Sequence, residues 1–156
     1  MSDIYIRRLR AIQEDLDISR EAFAFVRTNW HRQEVAEHFR VHARTLARVE
    51  RAGANLDTTY FVRLTAEFEG ILKDHLRTNH SAIHVPANAR IDWLLARVVQ
   101  RENITLSPDL RQRLNEIRDY RNALAHGSVA PLVVTFIQAL ARYNTFLSYL
   151  PDPLRS

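Results

Sequence analysis

A capped amphipathic pattern spans residues 107–127, which read SPDLRQRLNEIRDYRNALAHG. Ser107 can cap free amide groups, and Pro108 has no amide hydrogen to leave unpaired, so together they predict the start of a helix. Gly127 stands where helices commonly end on a residue of left-handed conformation. The apolar residues between these ends recur at the spacing of a helix that packs one face on a core. The stretch therefore predicts one helix that ends at His126.

The buried face of this helix has a polar edge. Its apolar stripe consists of Leu110, Leu114, Ile117 and Leu124. At about 100° per residue, Arg121 falls in the middle of that stripe. Arg118, Asn122 and His126 follow one another, one turn apart, along its edge. Because an unpaired buried guanidinium costs on the order of several kcal/mol, Arg121 needs an acidic partner, a subunit interface or an anionic ligand. The acidic candidates within a bundle are Glu67, Glu69 and Glu116.

Helical periodicity also divides the rest of the chain. We predict further helices over about residues 4–30, 32–51, 58–77, 86–100 and 131–150. The first of these has a potential new N-cap, and hence a break, near Asp17 and Ser19. Only 3 Gly and 5 Pro interrupt the chain, which disfavours the many tight turns of an all-β fold. The prediction is an all-α, antiparallel bundle of five or six helices.

Composition is that of a folded protein of ordinary size. The chain has 156 residues, 46% hydrophobic and 26% charged, which excludes a disordered chain and a membrane bundle. We expect a single domain over residues 1–156, with N-terminal helices at 1–52 and a bundle core at 57–150. The chain has no Cys and no apparent export signal, so we expect a cytoplasmic protein without disulfides. The weakly polar run 131–141 is too short to cross a membrane.

The basic residues are nearly all arginine. Lys73 is the only lysine, and the formal net charge is +4. The planar guanidinium of arginine suits phosphate, which makes a nucleic acid a plausible partner. A GC-rich coding bias that replaces Lys by Arg explains the same composition, so charge alone supports such a partner only weakly.

Residues 121–126, which read RNALAH, resemble the Arg-x(4–6)-His signature of the HEPN superfamily. Asn122 follows the Arg and Gly127 follows the His, as in many members of that family. The resemblance is specific over about residues 110–127. Over about residues 57–150 it extends to helix order only, since one further helix follows the motif helix, as in the family.

The resemblance implies a HEPN-like bundle that dimerises through the motif helix and acts as a metal-independent endoribonuclease. In such an enzyme, Arg121 and His126 of both subunits meet in a cleft at the two-fold interface. Arg121 would bind the scissile phosphate, and the two copies of His126 would supply a base and an acid. Asn122 would orient the phosphate or the imidazole, and Arg118 would extend the binding track along the strand. The products would be a 2′,3′-cyclic phosphate and a 5′-hydroxyl, and no metal or cofactor is implied.

The same resemblance implies a toxin or phage-defence effector whose partners are RNA and a second copy of the chain. Some HEPN toxins carry a Tyr two residues after the His, which a nucleotidyltransferase antitoxin modifies. Here that position is Ser128, so an antitoxin or defence-system protein of another kind is the open alternative. A catalytically inactive HEPN-like module that binds nucleotides or RNA, or assembles complexes, is the main alternative function.

Residues 35–48 suggest two further functions that we rank lower. Their apolar spacing resembles a DNA-reading helix-turn-helix, but Arg40 stands where such motifs commonly have Gly, so one continuous helix is the preferred prediction. A basic face on that helix is formed by Arg40, Arg44, Arg48 and Arg51. His38 and His42 have the spacing of two metal ligands on one helix face, with Glu34 one turn earlier, but no third ligand is evident. We expect these histidines to be solvated, together with His75, His80 and His84 around the following loop.

Overall fold

The structure, a computed structural model, describes residues 3–41, 45–80, 82–129 and 132–151. Seven helices occur in these ranges: α1 Asp3–Asn29, α2 Gln33–Val41, α3 Leu46–Ala54, α4 Leu56–Asn79, α5 Ile91–Arg101, α6 Pro108–His126 and α7 Phe136–Leu147. The same ranges contain no strand, so the all-α prediction is confirmed, with seven helices instead of five or six. None of these helices combines the length and apolar character needed to cross a membrane.

α4 is the central helix of the bundle. It packs against α1, α3, α5, α6 and α7. Its almost fully buried apolar residues are Phe61, Leu64, Phe68, Ile71, Leu72 and Leu76. The Phe68 ring stacks on the Tyr143 ring with the centroids 3.9 Å apart, and it meets the edge of the Phe146 ring at 5.7 Å. Aromatic pairs in these geometries stabilise a core beyond the area that they bury. These contacts fix α7 against the middle of α4.

α6 has the ends and the apolar stripe that its sequence predicts. Ser107 caps it, since the hydroxyl accepts a hydrogen bond from the Leu110 amide at 3.2 Å. Gly127 ends it in a left-handed conformation with φ 63°. The predicted stripe residues Leu110, Leu114 and Ile117 are buried, and Leu124 is partly buried. Beside them, the Tyr120 ring packs edge-on against the Phe61 ring of α4, with the centroids 4.9 Å apart.

α1 is one unbroken helix, so the predicted break near Asp17 and Ser19 is wrong. The Ser19 hydroxyl forms a hydrogen bond with the Tyr60 hydroxyl at 2.8 Å, and the Asp17 carboxylate pairs with Arg20 at 3.5 Å. Both polar side chains therefore have partners on the helix surface and do not cap a new helix. The N-terminal half of α1 also joins the main core through Tyr5, Leu9, Ile12 and Leu16.

The single helix predicted over residues 32–51 is two helices in the structure. α2 ends at Val41, and α3 begins at Leu46 with Thr45 as its N-cap. The Thr45 hydroxyl accepts a hydrogen bond from the Arg48 amide at 3.4 Å, as a capping side chain does. Residues 42–44, with His42 and Arg44, lie outside the described residues. Among the described residues, α3 packs on α1 and α4.

Two predicted helix starts are also wrong, and both helices begin later. Residues 86–89 form a turn, in which the Ala89 amide donates to the Pro86 carbonyl at 3.1 Å, and α5 begins only at Ile91. α7 begins at Phe136, where Thr135 and Gln138 form a reciprocal capping box. Pro131, the predicted start of that helix, lies outside the described residues.

Candidate functional site

The four predicted site residues line one cavity. Arg118, Arg121, Asn122 and His126 project from α6 into a cavity of about 610 Å³. The other lining side chains come from α4, from the turn that leads into α5, from the start of α5 and from α6 itself. They are Thr65, Glu69, Lys73, Asn88, Ala89, Arg90, Ile91, Asp92 and Asp119. A cavity of this volume lies within the usual range for ligand sites.

Arg121 lies at the edge of this cavity instead of inside the core. Its side chain is 38% exposed, which removes most of the cost that a core position would carry. One guanidinium nitrogen donates to the Asn122 side-chain oxygen at 3.3 Å, and another lies 4.0 Å from a Glu69 carboxylate oxygen. Of the three acidic candidates, Glu69 is thus the one near Arg121. The guanidinium has five N–H donors, and these contacts leave several of them for a ligand.

The other two acidic candidates have different partners. Glu67 pairs with Arg8 of α1. Glu116 lies on another side of α6, where it accepts hydrogen bonds from Gln112 and Arg113, each at 3.0 Å. Neither carboxylate pairs with Arg121. Among the described residues, the carboxylate that lies near Arg121 is that of Glu69, at 4.0 Å.

Arg118 is held by its neighbour in the chain. Two of its guanidinium nitrogens lie 3.0 and 2.9 Å from one Asp119 carboxylate oxygen. Both residues are partly exposed, and an ion pair of this kind is worth only about 0–1 kcal/mol. An incoming phosphate can therefore compete with Asp119 for Arg118.

His126 is the last residue of α6, and its imidazole is exposed. Among the described residues it makes no hydrogen bond or ion pair. Both ring nitrogens are therefore accessible to a ligand in the cavity. Arg121 and His126 lie five positions apart on one helix, about 140° around its axis, and both border the same cavity.

The cavity has a mixed but basic lining. Lys73 and Arg90 add two positive charges to those of Arg118 and Arg121, against the carboxylates of Glu69, Asp92 and Asp119. Lys73 and Arg90 were not predicted as site residues from the sequence. They lie on other elements, and only the packing of α4, α5 and α6 brings them to the motif helix. The N-terminal end of α5 also borders the cavity, and Arg90, its cap, makes no side-chain capping bond.

Beneath the cavity, two hydroxyl groups are joined by a hydrogen bond. The buried Tyr143 hydroxyl donates to the Thr65 hydroxyl at 3.4 Å, and Thr65 donates to the Phe61 carbonyl at 3.0 Å. Burial raises the pKa of Tyr143 far above its ordinary value, so this phenol keeps its proton at neutral pH. Tyr143 is therefore a neutral phenol that packs behind Thr65.

A second group of histidines differs from its prediction. His75 is not solvated, because it lies in the last turns of α4 and is fully buried. Burial lowers the pKa of His75 although Glu102 opposes this, and the imidazole is neutral at neutral pH. Burial alone would raise the pKa of Glu102, but hydrogen bonds from His80 and His75 outweigh it and lower the pKa. His84 is exposed as predicted.

No protein-family model, curated protein or solved structure matches this chain. The assignment of the cavity therefore depends on its own residues and geometry.

Proposed function

We propose that this chain is a metal-independent endoribonuclease of the HEPN type that acts as a homodimer. The observation that carries the proposal is that Arg121 and His126 line the same cavity, together with Asn122 and Arg118. A phosphate-binding fork and an exposed imidazole at one cavity are the two groups that metal-free RNA cleavage requires.

The cavity has the features of a phosphate site. Arg121 is half exposed, and its nearest carboxylate, on Glu69, is 4.0 Å away. Lys73, Arg90 and Arg118 are the other cations of the lining. The N-terminal end of α5 contributes free amides, which favour anions. A strand of RNA would place its scissile phosphate at Arg121 and an adjacent phosphate near Arg118.

The chemistry needs two proton transfers. A base removes the proton of the ribose 2′-hydroxyl, and that oxygen attacks the phosphorus. Arg121 stabilises the charge on the phosphorane, and an acid protonates the 5′-oxygen as its bond to phosphorus breaks. His126 can perform one of these transfers, and His126 of a second copy can perform the other. The Asn122 side-chain oxygen accepts a hydrogen bond from the Arg121 guanidinium at 3.3 Å and would hold that group in place.

Exposed apolar side chains support a second copy beside the motif. Val129 is 96% exposed and Val133 is 70% exposed, both on the segment that follows α6. Leu132 and Ile137 are about half exposed in the same region. Such a group of apolar side chains is typical of an interaction surface. A two-fold interface here would bury these side chains and bring two motif helices close to each other.

The proposal is tested by incubating the purified full chain with defined RNA oligonucleotides in EDTA. We expect fragments that end in a 2′,3′-cyclic phosphate and begin with a 5′-hydroxyl, identified by mass spectrometry. The variant His126→Ala should lower the cleavage rate by about 10²–10⁴-fold, which is the usual contribution of a general acid or base. His31→Ala, which removes an exposed histidine outside the cavity, is the matched control and should cleave normally.

The other functions predict different results in that experiment. RNA that is bound but not cut, by a folded dimer, would establish the inactive binding module instead. Sequence-specific protection of duplex DNA would favour a DNA-binding regulator that uses the basic face from Arg40 to Arg51. A toxin or defence role would further require that expression of the wild-type chain, but not of His126→Ala, arrests the growth of host cells.

The dimer has a separate test. Ile137→Arg places a charge on the exposed apolar region of α7 and should yield a monomer by sedimentation, with loss of cleavage. Ile18→Arg changes an equally exposed isoleucine on α1, 65% exposed, and should leave both the dimer and the activity unchanged. A fully active Ile137→Arg monomer would rule out the shared site.

A further inference from the structure

Three metal-ligating side chains converge where α4 and α5 end. His75 lies in the last turns of α4, His80 is the residue directly after that helix, and Glu102 directly follows α5. One Glu102 carboxylate oxygen lies 2.7 Å from the His75 Nε2 atom and 2.6 Å from the His80 Nε2 atom. The three ligand atoms all lie within 4.8 Å of one another. This group shares no residue with the cavity at α6.

Burial makes this group unlike a surface cluster. The His75 side chain is 0% exposed, that of Glu102 is 13% exposed and that of His80 is 23% exposed. A carboxylate removed from water costs free energy unless it is paired, and a cation at this position would pair with it. The partial exposure of His80 leaves a path by which an ion can enter.

The second layer of contacts fits a metal-bound histidine. The Asn79 side-chain amide lies 3.0 Å from the His75 Nδ1 atom, and the Tyr5 hydroxyl lies 3.5 Å from it. The Asn79 oxygen is buried and has no hydrogen-bond partner among the described residues. Turning this amide over brings that oxygen to His75 Nδ1, where it accepts the ring N–H. The lone pair of His75 then lies on Nε2, which points at the centre of the cluster, as in histidines that bind metals.

The two helix ends add a favourable field. The carbonyl ends of α4 and α5 meet at this cluster, with His80 and Glu102 as the cap residues. A helix carries a partial negative charge at its carboxyl end, so a cation is stabilised there. The Glu102 carboxylate and two helix ends thus surround the same small volume.

We propose that His75, His80 and Glu102 bind one zinc ion that ties the end of α4 to the end of α5. Two imidazoles and one carboxylate form a donor set that zinc accepts, and a water molecule on the side of His80 completes the coordination. Magnesium and calcium prefer more oxygen ligands than this group offers. The inference does not depend on the proposed ribonuclease function.

Binding requires a small local opening. Ligand atoms about 2.0–2.1 Å from a tetrahedral zinc lie about 3.3 Å from one another. The present separations of 2.6 and 2.7 Å must therefore widen by about 0.6 Å. His80 and Glu102 both lie just outside their helices, so they can move apart without breaking a helix.

The test is a calorimetric titration of the chelator-treated full chain with zinc sulfate. We expect saturable binding of one zinc per chain, and cobalt in place of zinc should show the absorption bands of a four-coordinate site. His80→Ala should weaken zinc binding at least about 100-fold, since loss of even an outer contact typically costs 10–100-fold. His84→Ala removes an exposed histidine four residues away and should bind zinc as the wild type does.

His80 is the substituted ligand because it is partly exposed, so the variant should fold, which circular dichroism checks before the titration. Glu102→Gln gives a second variant, in which the carboxylate charge is lost but the shape is kept. Zinc binding that is absent from the wild type, or unchanged in folded His80→Ala, overturns the proposal. Binding that is lost in His126→Ala and kept in His80→Ala also overturns it, since the metal would then lie in the α6 cavity.

Discussion

Two histidine sites in this molecule lie at the carboxyl ends of helices but differ in burial and in hydrogen bonding. His126 ends α6, is exposed, and makes no hydrogen bond among the described residues. His75 and His80, at the end of α4, both contact the Glu102 carboxylate, and His75 is fully buried. The position on a helix is therefore not what distinguishes the two sites. The difference comes from what the neighbouring helix supplies.

Neighbouring elements leave an open cavity beside the end of α6, whereas neighbouring side chains fill the space at the end of α4. Around His126 and Arg121 the other elements leave a cavity of about 610 Å³, and the nearest charge to Arg121 is 4.0 Å away. Around His75, by contrast, Asn79, Tyr5 and Glu102 occupy both ring nitrogens. Groups with unused donors and acceptors can bind and transform a substrate, whereas saturated groups hold a structure together. The comparison predicts that substitutions at the first site alter activity and that those at the second alter stability.

After His126→Ala, the largest effect is expected from Arg121→Ala in RNA cleavage. Removing one preorganised donor to a developing charge typically lowers a rate by about 10²–10³-fold. The free energy of unfolding should change by less than about 0.5 kcal/mol, because the side chain is partly exposed and weakly paired. Both quantities are measured on the same preparation, by oligonucleotide cleavage and by urea denaturation.

The matched control for that variant is Arg111→Ala. Arg111 is an exposed arginine of the same helix that does not line the cavity. If Arg111→Ala lowers cleavage as much as Arg121→Ala does, the effect is one of net charge and the cavity has no special role.

His75→Ala should instead lower the stability of the fold and leave RNA cleavage nearly unchanged. Leaving the Glu102 carboxylate and the Asn79 amide without this partner should lower the free energy of unfolding by about 1–3 kcal/mol. Urea denaturation in the presence of a chelator measures this, so that metal binding does not contribute. Cleavage of RNA at a temperature where the variant is folded should stay near the wild-type rate. A variant as stable as the exposed control His84→Ala would show that the buried cluster contributes nothing to the fold.

Zinc should stabilise the fold through the His75, His80 and Glu102 group and leave the α6 cavity unaffected. At a free zinc concentration of about 100 times the Kd, a ligand that binds only the folded state stabilises it by about 2.7 kcal/mol. In a domain of this size that raises Tm by roughly 5–10 °C. The shift should appear in the wild type and in Arg121→Ala, and it should vanish in His80→Ala. Removing zinc should leave cleavage unchanged below the Tm of the metal-free chain. A cleavage rate that requires zinc would contradict the independence of the two sites.

Local signals explain why the motif helix could be predicted. Ser107, Pro108 and Gly127 are adjacent in sequence to the helix that they delimit, and the stripe of Leu110, Leu114 and Ile117 is a pattern within that helix. The polar edge follows from the same periodicity. This is why all four motif residues could be placed on one side of α6 before any tertiary contact was considered.

The remaining features depend on contacts between distant segments. Glu102 is 27 residues from His75 and lies on another helix, so no spacing indicates that they meet. Lys73 and Arg90 join the cavity only through the packing of α4 and α5 on α6. One miss was local, since Thr135 and Gln138 already have the spacing of a capping box and mark the start of α7.

The smallest predicted effect concerns Glu116, on a part of α6 away from the cavity. Hydrogen bonds from Arg113 and Gln112 lower the pKa of Glu116 below its ordinary value of 4.5. A carboxylate with a lowered pKa in the folded state stabilises that state above its ordinary pKa, and this contribution is lost as the pH falls through the lowered value. Glu116→Gln should therefore be slightly less stable than the wild type at pH 7 and equally stable at pH 2.

The difference should be small because solvent screens the exposed Arg113–Glu116 pair. Urea midpoints of both chains at the two pH values measure it, and the RNA cleavage rate at pH 7 should not change. Reduced cleavage by Glu116→Gln would contradict the comparison, since it would mean that ion pairs outside the cavity set the geometry of Arg121 and His126. An unchanged rate would show that packing of Tyr120 on Phe61 and the buried stripe suffice to hold the motif helix.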